Sequence, residues 1–174
     1  AWLAADPAHA PFADGAEIRR AEIGAEGPLG PGLEFKLEID FASGALVFPG
    51  GKVDPEDADA RPFCRGADDL DENTLSHQVA AIREAFEECG VLLARDKDSD
   101  NLIAADQLQG IEARWRADLT AGKITIADVC RTEGLTLALD KMVHYAHWIT
   151  PRIVPKVFDT QFFVARAPVD HIAL

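Results

Sequence analysis

The chain has 174 residues, 48% of them apolar, enough for one substantial core and short for two. Its 30 acidic side chains oppose 17 basic ones, and the formal net charge of -13 disfavours nonspecific binding to nucleic acid polymers or anionic membranes; an anionic partner needs local neutralisation, which a divalent cation can supply. Cys64, Cys89 and Cys130 are too scattered for a disulfide framework or a metal pair and read as reduced thiols of a cytoplasmic protein, and no apolar run approaches a membrane span or a signal peptide.

Residues 1–32, rich in Ala, Gly and Pro, read as an arm without specified structure on a single domain spanning 1–174. LEFKLEID alternates apolar and charged residues and predicts a half-buried strand over 33–40. GALVFPGG supplies a second strand at Ala45 to Phe48, stopped by Pro49 and a glycine pair. Residues 52–73 hold eight Asp or Glu in no pattern, which predicts a polar, solvated insertion with at most a short helical turn.

Thr74 is a suitable cap for a helix whose apolar face is Val79, Ile82, Phe86 and Cys89, with Gly90 as its stop. Leu108, Ile111, Trp115 and Leu119 mark a second amphipathic helix. Thr125 to Asp128 resembles a shortened capping box before a brief helix ending near Gly134. MVHYAHWITPRIVP favours extended structure near Trp148 and Ile149, and VFDTQFFVARAP supplies the last strand.

REAFEECGV, Arg83 to Val91, adds three carboxylates to a chain already rich in them. On a helix, Glu84, Glu87 and Glu88 share a face roughly opposite the apolar stripe, and their repulsion costs about 0.2–0.5 kcal/mol per exposed pair. Hard oxygen ligands convert that cost into affinity for Mg²⁺ or Mn²⁺. The PGG turn lets main-chain carbonyls approach the same cation. The guanidinium of Arg83 can hold Glu84 or Glu87 in place, or face a phosphate.

PGG followed by REAFEECGV resembles the signature of the Nudix hydrolases. Arg83, Glu84, Glu87, Glu88, Gly90 and Val91 match its second half, with Gly51 as its first glycine. The first half departs from it: Asp57 stands where the family has Glu, and 25 residues separate Asp57 from Arg83 where the signature has seven. VFPGGKVD before the insertion, AAIREAFEECGVLLAR after it, and the later HWITP and FDTQFFVARAP resemble the branch containing peroxisomal coenzyme A and acyl-coenzyme A diphosphatases.

The resemblance implies an α/β/α sandwich with a mixed central sheet, whose N- and C-terminal edges look incomplete here and are compatible with a homodimer. It implies a diphosphate-containing nucleotide substrate and Mg²⁺ or Mn²⁺, with coenzyme A giving 3',5'-ADP and a phosphopantetheine product; the alternatives are ADP-ribose, nucleotide sugars or dinucleotides, or a noncatalytic nucleotide-binding domain. Carried over by position, Glu87 and Glu88 are principal metal ligands, Glu84 a ligand or general base, the Gly50 carbonyl a further ligand, and Arg83 the residue that orients the glutamates. Asp57 reads more simply as loop charge, His77, His144 and His147 as surface groups, Cys89 as packing, and Trp148, Phe158 and Phe162 as a buried aromatic strand.

Overall fold

The computed structural model describes residues 22–30, 33–40, 45–48, 51–149 and 159–166. Glu22–Gly30 (β1) and Leu33–Asp40 (β2) pair antiparallel, with a register shift between Pro28 and Gly30. Glu22–Gly30 falls within the stretch read above as an unspecified arm. Strand pairing draws on main-chain N–H and C=O groups, which a Gly- and Ala-rich segment carries as fully as an apolar one, so weak side-chain patterning concealed it.

Ala45–Val47 (β3), Met142–Ile149 (β7) and Asp159–Arg166 (β8) form an antiparallel sheet in the order β3-β8-β7. The pairing of β7 with β8 slips between His144 and Ala146. A second three-stranded sheet is mixed: Cys64–Arg65 (β4) runs parallel to Leu135–Ala138 (β6), and Ala94–Asp96 (β5) antiparallel to it. Three α-helices, Glu72–Cys89 (α1), Ala105–Thr120 (α2) and Ile126–Glu133 (α3), pack around this scaffold. The architecture is the α/β fold expected, mixed sheet with surrounding helices.

α1 buries Leu75, Val79, Ile82 and Phe86, each at 0% exposure, against a core that includes Leu46, Leu92, Leu93, Ile111, Leu137 and Phe163. Each such side chain contributes roughly 1.5–3 kcal/mol of hydrophobic stabilisation. The helix begins earlier than the periodicity implied. Asp71 is its cap, accepting from the Thr74 amide at 2.7 Å, and Thr74 lies inside the first turn. That amide and the Thr74 hydroxyl hold the Asp71 carboxyl below the usual carboxylate range. At the other end Gly90 takes φ 68°, a left-handed cap that a side chain would strain. α3 carries the expected box, Thr125 and Asp128 capping each other's amides.

The insertion is more ordered than a solvated loop. Pro55–Phe63 is a 3-10 helix running directly into β4. Its Asp57 and Ala60, with Ala67 beyond it, are buried, and Arg61 donates to the carbonyls of Ala67 and Leu70 at 3.0 Å each. The segment thus packs as a wall against α1 and α3. Among the described residues no helix is long and apolar enough to cross a membrane.

Candidate active site

Arg83 organises the site. Its side chain emerges from the middle of α1 beneath the 3-10 helix, and the residue is 6% exposed. Nε donates to Asp57 Oδ1 at 2.9 Å and Nη2 to Asp57 Oδ2 at 3.2 Å, a two-point grip across the insertion. Nη1 donates to Glu84 Oε1 at 2.9 Å and to Glu87 Oε1 at 3.2 Å, and Nη2 also reaches the Lys52 carbonyl at 2.6 Å. A guanidinium has five N–H donors, and five acceptors meet them here. Arg83 is therefore engaged in orienting carboxylates, and the alternative of facing a phosphate finds no spare donor.

Asp57 is 2% exposed and does more than grip Arg83. Its Oδ2 also accepts from the Asp54 amide at 2.8 Å, fixing the start of the 3-10 helix. Burial opposes the charge on Arg83, but the hydrogen bonds and charges of Asp57 and Glu84 more than offset it and leave the guanidinium harder to deprotonate than usual. The 25 residues between Asp57 and Arg83 form a closed excursion whose two ends meet at this ion pair. Asp57 thus occupies a structural place beside Arg83 despite the interrupted spacing.

Gly51 is the second fixed point. A Cβ built on it would lie 2.0 Å from Glu84 Cγ and 2.4 Å from Glu84 Oε1. Any larger residue would expel the Glu84 side chain from its present seat. The absence of a side chain at Gly51 gives Glu84 the room to lie against the backbone. Gly50, expected to offer its carbonyl, lies outside the described residues.

The carboxylates differ in their surroundings. Burial pushes the Glu84 carboxyl up, Arg83 pulls it back, and Glu87 and Asp54 add repulsion, for a net rise. Glu88 is also raised, by partial burial and then by Glu84 and Glu87, with no cation within ion-pair distance of its side chain among the described residues. Glu84, Glu87 and Glu88 thus form a neighbouring set of hard oxygen donors whose negative charge Arg83 offsets only in part, which suits Mg²⁺ or Mn²⁺ chemically. As placed, Glu84 and Glu87 turn an oxygen toward Arg83, and among the described residues no three Asp, Glu, His or Cys groups converge closely enough to hold a metal ion.

The sequence also singled out three histidines, Cys89 and an aromatic strand. The His77 ring contacts the Asn73 carbonyl at 2.8 Å, and the exposed His144 and His147 on β7 have ring centroids 6.5 Å apart. Cys89 is half-buried on α1. Burial raises its thiol, with repulsion from Glu88 adding to the rise, which leaves little thiolate for nucleophilic use. Phe162 is half-buried in β8; Phe158 lies outside the described residues, as does the side chain of Trp148.

With Gly51 against Glu84, the Arg83 hub and the carboxylate face assembled, the comparisons with known proteins decide the family. The NUDT19 Nudix domain family matches residues 65–169. The chain belongs to the Nudix hydrolase superfamily. The acyl-coenzyme A diphosphatase NUDT19 of Homo sapiens is 28% identical over 164 residues, covering 71% of this chain and 44% of that protein. The Xenopus laevis protein of the same name is 27% identical over 100 residues, 52% of this chain and 26% of its own length. A putative nudix hydrolase 7 of Caenorhabditis elegans is 30% identical over 129 residues, 71% of this chain and 35% of that protein. The chain thus spans less than half the length of each of these relatives. A crystal structure of a NUDIX hydrolase from Alicyclobacillus acidocaldarius superposes with a TM-score of 0.51 at 31% identity, covering 72% of this chain and 58% of that one. The family match begins at Arg65, beyond Gly51 and Asp57, so the first half of the site rests on this chain's own geometry.

Proposed function

We propose that this Nudix domain catalyses divalent-metal-dependent hydrolysis of the diphosphate linkage in a nucleotide-derived substrate, with coenzyme A or an acyl-coenzyme A as the favoured substrate. The observation that carries the reading is the Arg83 hub, which holds Glu84 and Glu87 at fixed places beside an uncompensated Glu88. The single Arg83 guanidinium does not balance the carboxylates around it, and a bound cation would offset the excess. The names borne by the human and frog relatives support the choice of coenzyme A.

In this reading Glu87 and Glu88 are the principal metal ligands, with the Gly50 carbonyl as a further one. A bound Mg²⁺ or Mn²⁺ would supply charge neutralisation at the phosphates and acidify the attacking water. The chain's own residues do the rest. Glu84, whose carboxyl is already pushed up by burial, either completes the ligand set or accepts the water proton. Arg83 limits the rotation of Glu84 and Glu87, and Asp57 keeps Arg83 from swinging out. The free thiols of Cys64, Cys89 and Cys130 suit a reducing compartment.

Product identification tests the proposal. Coenzyme A, an acyl-coenzyme A, ADP-ribose and NADH are each incubated with the protein, with and without Mg²⁺ or Mn²⁺. Formation of 3',5'-ADP only when metal is present is the expected result. AMP from ADP-ribose or NADH, with coenzyme A left intact, would move the substrate to the alternative class. Absence of turnover across the panel would overturn the enzymatic reading in favour of a binding domain.

A further inference from the structure

Glu84, Glu87 and Glu88 crowd the last two turns of α1, where the helix dipole presents its negative end, and the last turn of that helix contains no basic residue. The carbonyls there also lack intrahelical donors. Both deficits are met from α2. Arg116 Nε donates to the Glu87 carbonyl at 3.0 Å and its Nη2 to the Glu88 carbonyl at 3.0 Å. Nη1 pairs with Glu112, one turn back on α2. This ion pair lies against the helix cap: a Cβ on Gly90 would come within 3.0 Å of Glu112 Oε1 and 3.3 Å of Arg116 Nη1.

We propose that Arg116 is a positioning residue for Glu87 and Glu88. It acts through their main chain, since its bonds to these residues go to their carbonyls. Two adjacent carbonyls held by one planar fork fix the rotation of the final turn, and that rotation sets where both side chains project. Glu112 holds the fork in register with the helix end. The positive charge of Arg116 also lies at the end of the helix where negative charge accumulates. The inference rests on the reading of Glu87 and Glu88 as metal ligands.

Mn²⁺ binding to the folded protein, followed by electron paramagnetic resonance or calorimetry, tests it without requiring a substrate. Arg116→Met removes the fork and the charge, and is expected to weaken Mn²⁺ binding about tenfold, the scale seen when a group supporting metal ligands is lost. Arg116→Lys, which keeps charge without the fork, is expected to fall between parent and Arg116→Met. Arg114→Met is the control, because Arg114 sits on the same helix but reaches Glu133 on α3, at 2.8 and 3.0 Å. Its Mn²⁺ affinity should match the parent's.

A merely structural Arg116 would lower the melting temperature of its variants and leave the Mn²⁺ affinity of the folded fraction unchanged. That result, or an equal loss in Arg114→Met, overturns the inference while leaving the proposed function standing. A parent protein that binds no Mn²⁺ overturns the proposed function and this inference with it. Should Arg116→Met fail to fold, Arg116→Lys decides the matter by the same criterion, with parent-like affinity counting against the role.

Discussion

Arg83 and Arg95 are both withdrawn from water, at 6% and 1% relative exposure, yet their surroundings differ in kind. Arg83 has an acceptor for every N–H, drawn from the insertion and its own helix. Arg95 on β5 reaches Asp140 through Nη2, at 3.0 and 3.2 Å, and its buried Nε has no hydrogen-bond partner among the described residues. A buried charge costs several kcal/mol in lost hydration, and the two sites offset that cost to different degrees. Arg95 ties β5 to the short turn after β6. Arg83 does something further: it holds three carboxylates, Asp57, Glu84 and Glu87, at defined places relative to one another. The comparison separates an arginine that arranges other charges from one that fastens two segments.

The largest expected effect follows from removing the keystone of the first site. Asp57→Ala leaves Arg83 buried beside only the weaker part of its shell, and should lower unfolding stability by about 3–5 kcal/mol, read by chemical denaturation. A loss under 1 kcal/mol would mean that the Glu84, Glu87 and Lys52 contacts suffice, and the contrast with Arg95 would weaken. Gly51→Ala attacks the same site through shape. Displacing Glu84 from its seat should lower kcat by roughly 100-fold, the scale of an ångström-sized misplacement, with a smaller change in melting temperature.

Asp140→Ala is the matching test at Arg95. Because Asp140 is partly solvated and Arg95 is incompletely satisfied already, the expected loss is about 1–3 kcal/mol, with metal-dependent turnover retained in the folded protein. A loss of turnover there would make the two arginines functionally alike and break the comparison.

The smallest effect has the opposite sign. Glu88 has its pKa raised by partial burial and by its acidic neighbours, as Glu84 does by burial, so folding favours the protonated forms. A carboxyl raised above its ordinary value of about 4.5 binds more protons folded than unfolded; its penalty grows as pH rises through that interval and is absent below it. The metal-free protein should therefore gain stability from neutral pH toward mild acidity. Asp71, Asp128 and Glu133, whose pKa values are lowered, reverse the trend at lower pH still. Glu88→Gln should flatten the mildly acidic rise and stabilise the metal-free protein at neutral pH by a few tenths of a kcal/mol, while lowering turnover. Thermal melts across pH check both signs.

The parts of this account legible in the sequence were those with a period or a paired signal. Val79, Ile82 and Phe86 recur at helical spacing, so α1 and the face carrying Glu84, Glu87 and Glu88 could be read directly. Thr125 and Asp128 announced α3 through reciprocal capping chemistry. The true cap of α1 was less visible, because Glu72 and Asn73 carry no apolar signal and Asp71 and Thr74 are both good caps. Asp57 looked like loop charge because its partner lies 26 positions away and nothing local distinguishes it from Asp54 or Asp59. The insertion buries Ala60 and Ala67, small residues whose patterning is faint. Contacts to main-chain acceptors, Lys52 for Arg83 and the carbonyls of Glu87 and Glu88 for Arg116, have no residue signature at all.

The central claim is that the carboxylate face of α1 works by holding a divalent cation against a diphosphate. Its most direct test is the hydrolysis of coenzyme A by Glu87→Gln at saturating Mg²⁺ or Mn²⁺, with circular dichroism reporting the fold. Removing one charge while keeping the shape should leave the fold intact and lower kcat/KM by roughly 100-fold or more, the scale of losing a preorganised electrostatic contact. Turnover near the parent value, still dependent on metal, would contradict the account.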